Sequence, residues 1–148
     1  MAIIVASIGL LASTITVSLT YFFTKKHQLE MEERRLKEEY YKSFIKALSD
    51  VAIDNKDDEA QKRLSEGFNS LIVIASANVV KKLMEFHNFV RIENTDIPRN
   101  SEEWSAKHDD LLTELMKAMR QDLFGRNEVI DRFPKIHLVG RKPNRRIE

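Results

Sequence analysis

The 148-residue chain contains no cysteine. A disulfide framework, cysteine–zinc sites and thiol nucleophiles are therefore excluded, and the composition suits a reducing compartment. Glycine and proline are scarce, with four and three residues. No Gly-rich phosphate loop can be built from them. Neither a G-x-S-x-G nucleophile elbow nor an H-E-x-x-H zinc motif occurs. There is no strand-like alternation, internal repeat or long linker. Net charge is only +1, so no global field points to nucleic acid. Charged residues make up 32% of the chain, yet residues 2–23, "AIIVASIGLLASTITVSLTYFF", have none.

At 1.5 Å per residue an uncharged helix over residues 2–23 is about 33 Å long, enough to cross the hydrocarbon core of a bilayer. The alternatives are a cleaved signal peptide and a buried core helix. A signal peptide would place basic residues before a shorter apolar core and end at small residues. Here nothing basic precedes the run, and it ends in Tyr21-Phe22-Phe23, which suits a membrane interface. No other segment is apolar enough to surround a core helix of this kind. All 24 Lys and Arg follow the run, starting at Lys25 and Lys26. The positive-inside rule then leaves the body in the cytoplasm, giving a single-pass protein of the bacterial inner membrane.

On a helix, Ile4, Ile8, Leu11, Ile15, Leu19 and Phe22 share one face, which suits lipid. Ala6, Gly9, Ser13, Thr16, Thr20 and Thr24 share the opposite face, a stripe of small and hydroxyl residues that lets helices approach closely. Ser7, Thr14 and Ser18 form another weakly polar line. A helix dimer would use one stripe. A ring of spans around a lumen would use both.

Residues 25–39, "KKHQLEMEERRLKEE", hold few apolar side chains, and Glu30/Arg34 and Arg35/Glu39 are spaced to support an exposed helix. No proline or glycine interrupts residues 10–66, so the membrane helix is expected to continue through this stalk. From there the pattern Tyr40, Phe44, Ala47, Leu48, Val51 turns a helical face to a core. "DNKDD" at 54–58 is a break rich in cap residues. A second cytoplasmic helix is expected over about 58–75, with Leu64, Phe68, Leu71, Ile72 and Ala75 inward and Gly67 weakening it. Ser76 caps a third, about 77–92, carrying Val79, Val80, Leu83, Met84, Phe86 and Val90. After a loop with Pro98, Ser101 caps a fourth running to about Leu123, with Trp104, Leu111, Leu112, Leu115, Met116, Met119 and Leu123. Gly125 stops it. "NEVIDRF" forms a short fifth, followed by Pro134 and the basic "GRKPNRR". A bundle this small buries a modest core, and oligomerisation would stabilise it.

The histidines, His27, His87, His108 and His137, fall on separate expected elements, so no metal site is expected, and no cofactor. His108-Asp109-Asp110 reads as a solvated face. What remains is Arg132-x4-His137 within "RFPKIH". In metal-independent RNA cleavage a histidine moves the proton of the 2′-hydroxyl or leaving oxygen while an arginine holds the phosphate charge. With four histidines in a chain this rich in arginine, one such spacing is expected by chance. The alternative is that His137 packs or caps the bundle end and Arg132 pairs with a carboxylate.

An R-x4-H pair after the last long helix of an all-α bundle resembles the R-x4–6-H motif of HEPN domains. Those nucleases usually place Asn, Asp or His directly after the arginine. Phe133 is apolar, and Pro134 removes an N–H and disfavours helical geometry before it. The motif is divergent, and the chain is not expected to be an enzyme. The "ASIGLLASTITVSLTYFFTKKHQLE" segment, the "RLKEEYYKSFIKALSDVAIDN" helix and "RFPKIH" together resemble the small membrane accessory proteins encoded beside the RNA-guided RNA nuclease of type VI-B CRISPR systems. That resemblance covers essentially the whole chain. It implies a HEPN-like fold, a homo-oligomeric ring with a membrane pore, and antiphage defence enhanced through loss of membrane integrity. Partners are then other copies of the chain, membrane lipid and, functionally, the RNA-guided nuclease, with direct RNA binding left open. The alternatives are a membrane-tethered ribonuclease using Arg132 and His137, and a membrane-anchored helical adaptor. The expected organisation is all-α: a transmembrane helix at 1–24, a charged stalk at 25–39, a HEPN-like bundle at 40–138 and a basic tail at 139–148.

Overall fold

A computed structural model describes the backbone of residues 2–54, 56–91, 97–98, 101–125 and 133–138, and side chains within those ranges from residue 15 onward. Among these residues there are four helices and no strand. They are α1 (Ala2–Ile53), α2 (Asp58–Ile74), α3 (Ala77–Val90) and α4 (Glu102–Phe124). The all-α expectation holds, and both ends of α2, α3 and α4 fall within two residues of those read from caps and periodicity. Of the segment expected to form a short fifth helix, 127–133, residues 127–132 lie outside the described residues, as does the basic tail. Residues 133–138 have no regular secondary structure.

The expected continuation of the first helix through the charged stalk is found, with α1 uninterrupted over 52 residues. Among the described residues, no helix is long and apolar enough to cross a membrane. The side chains of residues 2–14 lie outside the description. From Ile15 only ten uncharged positions remain before Lys25 and Lys26, so the described part of α1 does not contain a span of its own.

The chain forms two compact units, Met1–Leu36 and Lys37–Glu148. In the first, every described side chain from Ile15 to Leu36 is exposed. The Thr20 hydroxyl donates to the Thr16 carbonyl at 2.8 Å, which satisfies it without any second helix. The Lys26–Glu30 pair is 3.9 Å apart and more than half exposed on both sides, so it adds little.

The second unit holds the core. Tyr41, Phe44 and Leu48 of α1 pack with Leu71 of α2, with Val79, Leu83 and Phe86 of α3, and with Leu112, Leu115, Ala118 and Met119 of α4. Phe44, Ala47 and Leu48 of the expected inward face of α1 are buried, but at its N-terminal end Tyr41 is buried and Tyr40 only partly so. The physical reason is a polar anchor. The Tyr41 hydroxyl donates to Asp122 of α4, and Lys37 lies 3.6 Å from the same carboxylate. Ile72 and Met84, expected inward, are exposed, because Leu71 and Leu83 beside them take the core positions.

The caps follow the sequence. Asp57 accepts from the Glu59 and Ala60 amides, and Ser101 accepts from the Trp104 amide at 3.0 Å while donating to the Pro98 carbonyl. These satisfy amides that lack intrahelical partners. Ser76 occupies the cap position of α3 without a side-chain cap bond. Gly67, expected to weaken α2, faces α1 at a distance that leaves room for a methyl group. A Cβ there would lie 3.4 Å from Phe44 Cα.

Candidate functional site

A polar cluster that joins two separate chain segments is built on the first half of α4. Trp104, His108, Leu112, Leu115 and Met119 recur at three- and four-residue spacing and are all buried, the pattern of one helix face turned to a core. His108 sits on that face, 7% exposed. Its ring stacks on Trp104 at 5.1 Å and tilts against Phe86 of α3 at 5.3 Å. Phe89 stacks on the same Trp104. The expectation of a solvated His108-Asp109-Asp110 face is therefore corrected for His108 and Asp109. Only Asp110 is well exposed, and it pairs with Lys135 at 2.8 Å.

Asp109 lies at the edge of this stripe, its side chain 14% exposed. One carboxylate oxygen is 3.1 Å from His108 Nδ1. The other is 2.6 Å from His137 Nδ1. Two histidines expected on separate elements thus meet on one carboxylate. Burial pushes the Asp109 carboxyl up, but the hydrogen bonds from His108 and His137, together with the charges of both rings, outweigh it. The net effect lowers its pKa below the ordinary carboxylate value.

Residues 133–138 reach this cluster as an extended strap across α4. The Ile136 amide donates to the Thr113 hydroxyl at 2.9 Å, and that hydroxyl donates to the Asp109 carbonyl at 2.6 Å. Ile136 and Leu138 pack against the core. Alternate residues Lys135 and His137 project toward Asp110 and Asp109. The alternation of "KIHL" is that of an extended segment with one apolar and one polar edge. Pro134 and its effect on Phe133 favour such a conformation over a helix.

Of the two residues of the R-x4-H motif, His137 is placed on Asp109 with 65% of its side chain exposed. Arg132 lies outside the described residues. For the N-terminal stripe, Ala6, Gly9 and Ser13 are helical but their side chains are undescribed, while Thr16, Thr20 and Thr24 are exposed on α1. Asp109 was missed as a partner for His137. Its spacing from Trp104 and Leu112 could have flagged His108 as buried, but nothing local links positions 109 and 137. Of the other histidines, His87 packs on Phe68 at 4.5 Å between ring centres. Among the described residues, no group of three or more His, Asp or Glu side chains is arranged to hold a metal ion. In this cluster the two rings bond the carboxylate instead.

A groove of about 610 Å³ also runs between α1 and α2, lined by Tyr40, Lys46, Asp50, Arg63, Glu66 and Ser70 among others. Its charges are mixed, and Arg63 faces Asp50 at 3.8 Å and Asp57 at 3.9 Å. It has the polarity of a solvated furrow.

As a class, the described residues define an all-helical bundle with a histidine–carboxylate cluster on its last helix. No family model, curated protein or solved structure matches the chain.

Proposed function

We propose that the chain is a homo-oligomeric pore protein of the bacterial inner membrane that strengthens RNA-guided antiphage defence by permeabilising or depolarising that membrane. Its HEPN-like bundle lies in the cytoplasm, and Arg132 and His137 tune packing or gating there. The observation that carries this reading is the uncovered apolar surface of α1. Ile15, Val17, Leu19, Tyr21, Phe22 and Phe23 stand in an uncharged stretch, each between 53% and 70% exposed. Such a surface calls for lipid or other copies of the helix to cover it. The sequence extends it through an uncharged Ala2–Thr14, and the Ala6–Thr24 stripe supplies a face on which neighbouring helices can pack.

The test is the mass of the full chain in detergent, together with dye release from vesicles. An oligomer that releases dye, with both properties lost in Gly9→Leu and Ser13→Leu, supports the reading. A monomer that leaves the dye entrapped overturns it. Replacing residues 2–23 with an unrelated span separates a pore from a plain anchored adaptor, since only the adaptor keeps its function.

One observation favours a second reading, a membrane-tethered ribonuclease. The hydrogen bond from His137 to Asp109 holds the exposed ring in the way general bases are held. Metal-independent cleavage of labelled RNA that disappears in His137→Ala would establish it, and absence of cleavage by the purified protein would dismiss it.

A further inference from the structure

The histidine–carboxylate cluster has a consequence that depends neither on the membrane nor on RNA. An ionised carboxylate only accepts hydrogen bonds. Both imidazole contacts to Asp109 are made through Nδ1, one to each oxygen. Each ring must therefore carry its hydrogen on Nδ1. For His137 this leaves Nε2 as the free ring nitrogen of a side chain that is 65% exposed. A histidine in a flexible tail would favour the opposite tautomer.

We propose that Asp109 is the positioning residue for His137: with the strap 133–138 docked on α4, its carboxylate holds the ring as the Nδ1–H tautomer and presents Nε2 to solvent as an oriented proton acceptor. His108 occupies the second carboxylate oxygen and, wedged between Trp104 and Phe86, fixes the direction in which the carboxylate faces. Thr113 holds the Ile136 amide, and Ile136 and Leu138 anchor the strap to the core. The Lys135–Asp110 pair is the more exposed contact and contributes least. The cluster is thus assembled from two chain segments far apart in sequence. The state of the ring reports whether the strap is docked, whatever substrate or partner uses Nε2.

The chain has only four histidines, so ring-nitrogen NMR of the full chain with labelled histidine resolves each one, and His137→Gln assigns the signal. At pH 8 the His137 signal is expected to show a protonated Nδ1 and an unprotonated Nε2, with a bias on the order of tenfold, as a charge-assisted hydrogen bond supplies. Asp109→Asn replaces the charged acceptor with a neutral one and should erase most of the bias. Thr113→Val leaves the carboxylate in place but frees the Ile136 amide, and should erase it too. The wild-type spectrum needs no variant, so it decides even if Asp109→Asn fails to fold. An Nε2–H form dominating in wild type overturns the proposal. So does a folded Asp109→Asn or Thr113→Val protein whose His137 keeps the wild-type bias.

Discussion

Two glycine-to-alanine changes should move stability in opposite directions, because a methyl group is accommodated at one glycine and strained by the backbone at the other. Gly67 lies inside α2, where glycine costs about 0.8–1.0 kcal/mol relative to alanine. The added Cβ would sit 3.4 Å from Phe44 Cα, 3.5 Å from its Cδ2 and 3.6 Å from its Cβ. Those are ordinary contact distances, so the methyl fits and the propensity gain should survive. Gly67→Ala is expected to stabilise the bundle by roughly 0.5–1 kcal/mol. In a domain of this size that is an increase in Tm of about 2–8 °C. Among the described residues nothing lies within 4 Å of a Cβ placed on Gly125, so the expected penalty there rests on its backbone. Its backbone, at φ 79° and ψ 173°, is a conformation open to glycine and strained for other residues. Gly125→Ala should destabilise by about 1–3 kcal/mol. Urea denaturation of the full chain in detergent, followed by helical circular dichroism, measures both. A Gly67→Ala protein weaker than wild type by more than about 1 kcal/mol would mean that α1 and α2 are too close for a methyl and would refute the packing argument. A neutral Gly125→Ala would refute the backbone argument.

Leu115 is fully buried at the centre of α4, so Leu115→Ala should cost about 2–5 kcal/mol in the same assay. The Tyr41 phenol is pushed well above its ordinary pKa, first by burial and then by its hydrogen bond to the Asp122 carboxylate and that group's charge. The unfolded chain therefore loses this proton near pH 10 while the folded one keeps it. Stability should fall above that pH by up to about 1.4 kcal/mol per unit, a slope that Tyr41→Phe should flatten. For Asp109, whose folded pKa is lowered, the sign is reversed. Its contribution is fully present above the unfolded value near 4 and is lost as pH falls through the folded value. Asp109→Asn should remove that part of the acid transition, as measured by denaturation at pH 2–6.

Much of the helical framework was legible because its causes are local. Asp57 and Ser101 read as caps because their side chains reach amides two or three residues ahead. Gly125 reads as a stop because of the backbone it permits. Trp104, Leu112, Leu115 and Met119 read as inward positions of α4 because its large apolar residues recur at the helix period. The errors came where two partners on one helix competed for the interior. Tyr40 and Tyr41 are adjacent and both suited to a core, and the hydrogen bond to Asp122 on another helix favours Tyr41. His108 reads as solvent-exposed with Asp109 and Asp110 because charge dominates that short stretch, while the stripe from Trp104 to Leu112 that buries it spans a longer window.

By itself the sequence determined where four helices begin and end and that the first would run unbroken from an uncharged segment into the bundle, because hydrogen bonding, capping and periodicity act within about four residues along the chain. The tertiary structure decided that residues 133–138 return to α4 and that His108 and His137 share the Asp109 carboxylate. That contact joins positions 28 residues apart. It exists only because the core holds Ile136 and Leu138 in place and Thr113 takes up the strap's amide, which no pattern confined to either segment contains.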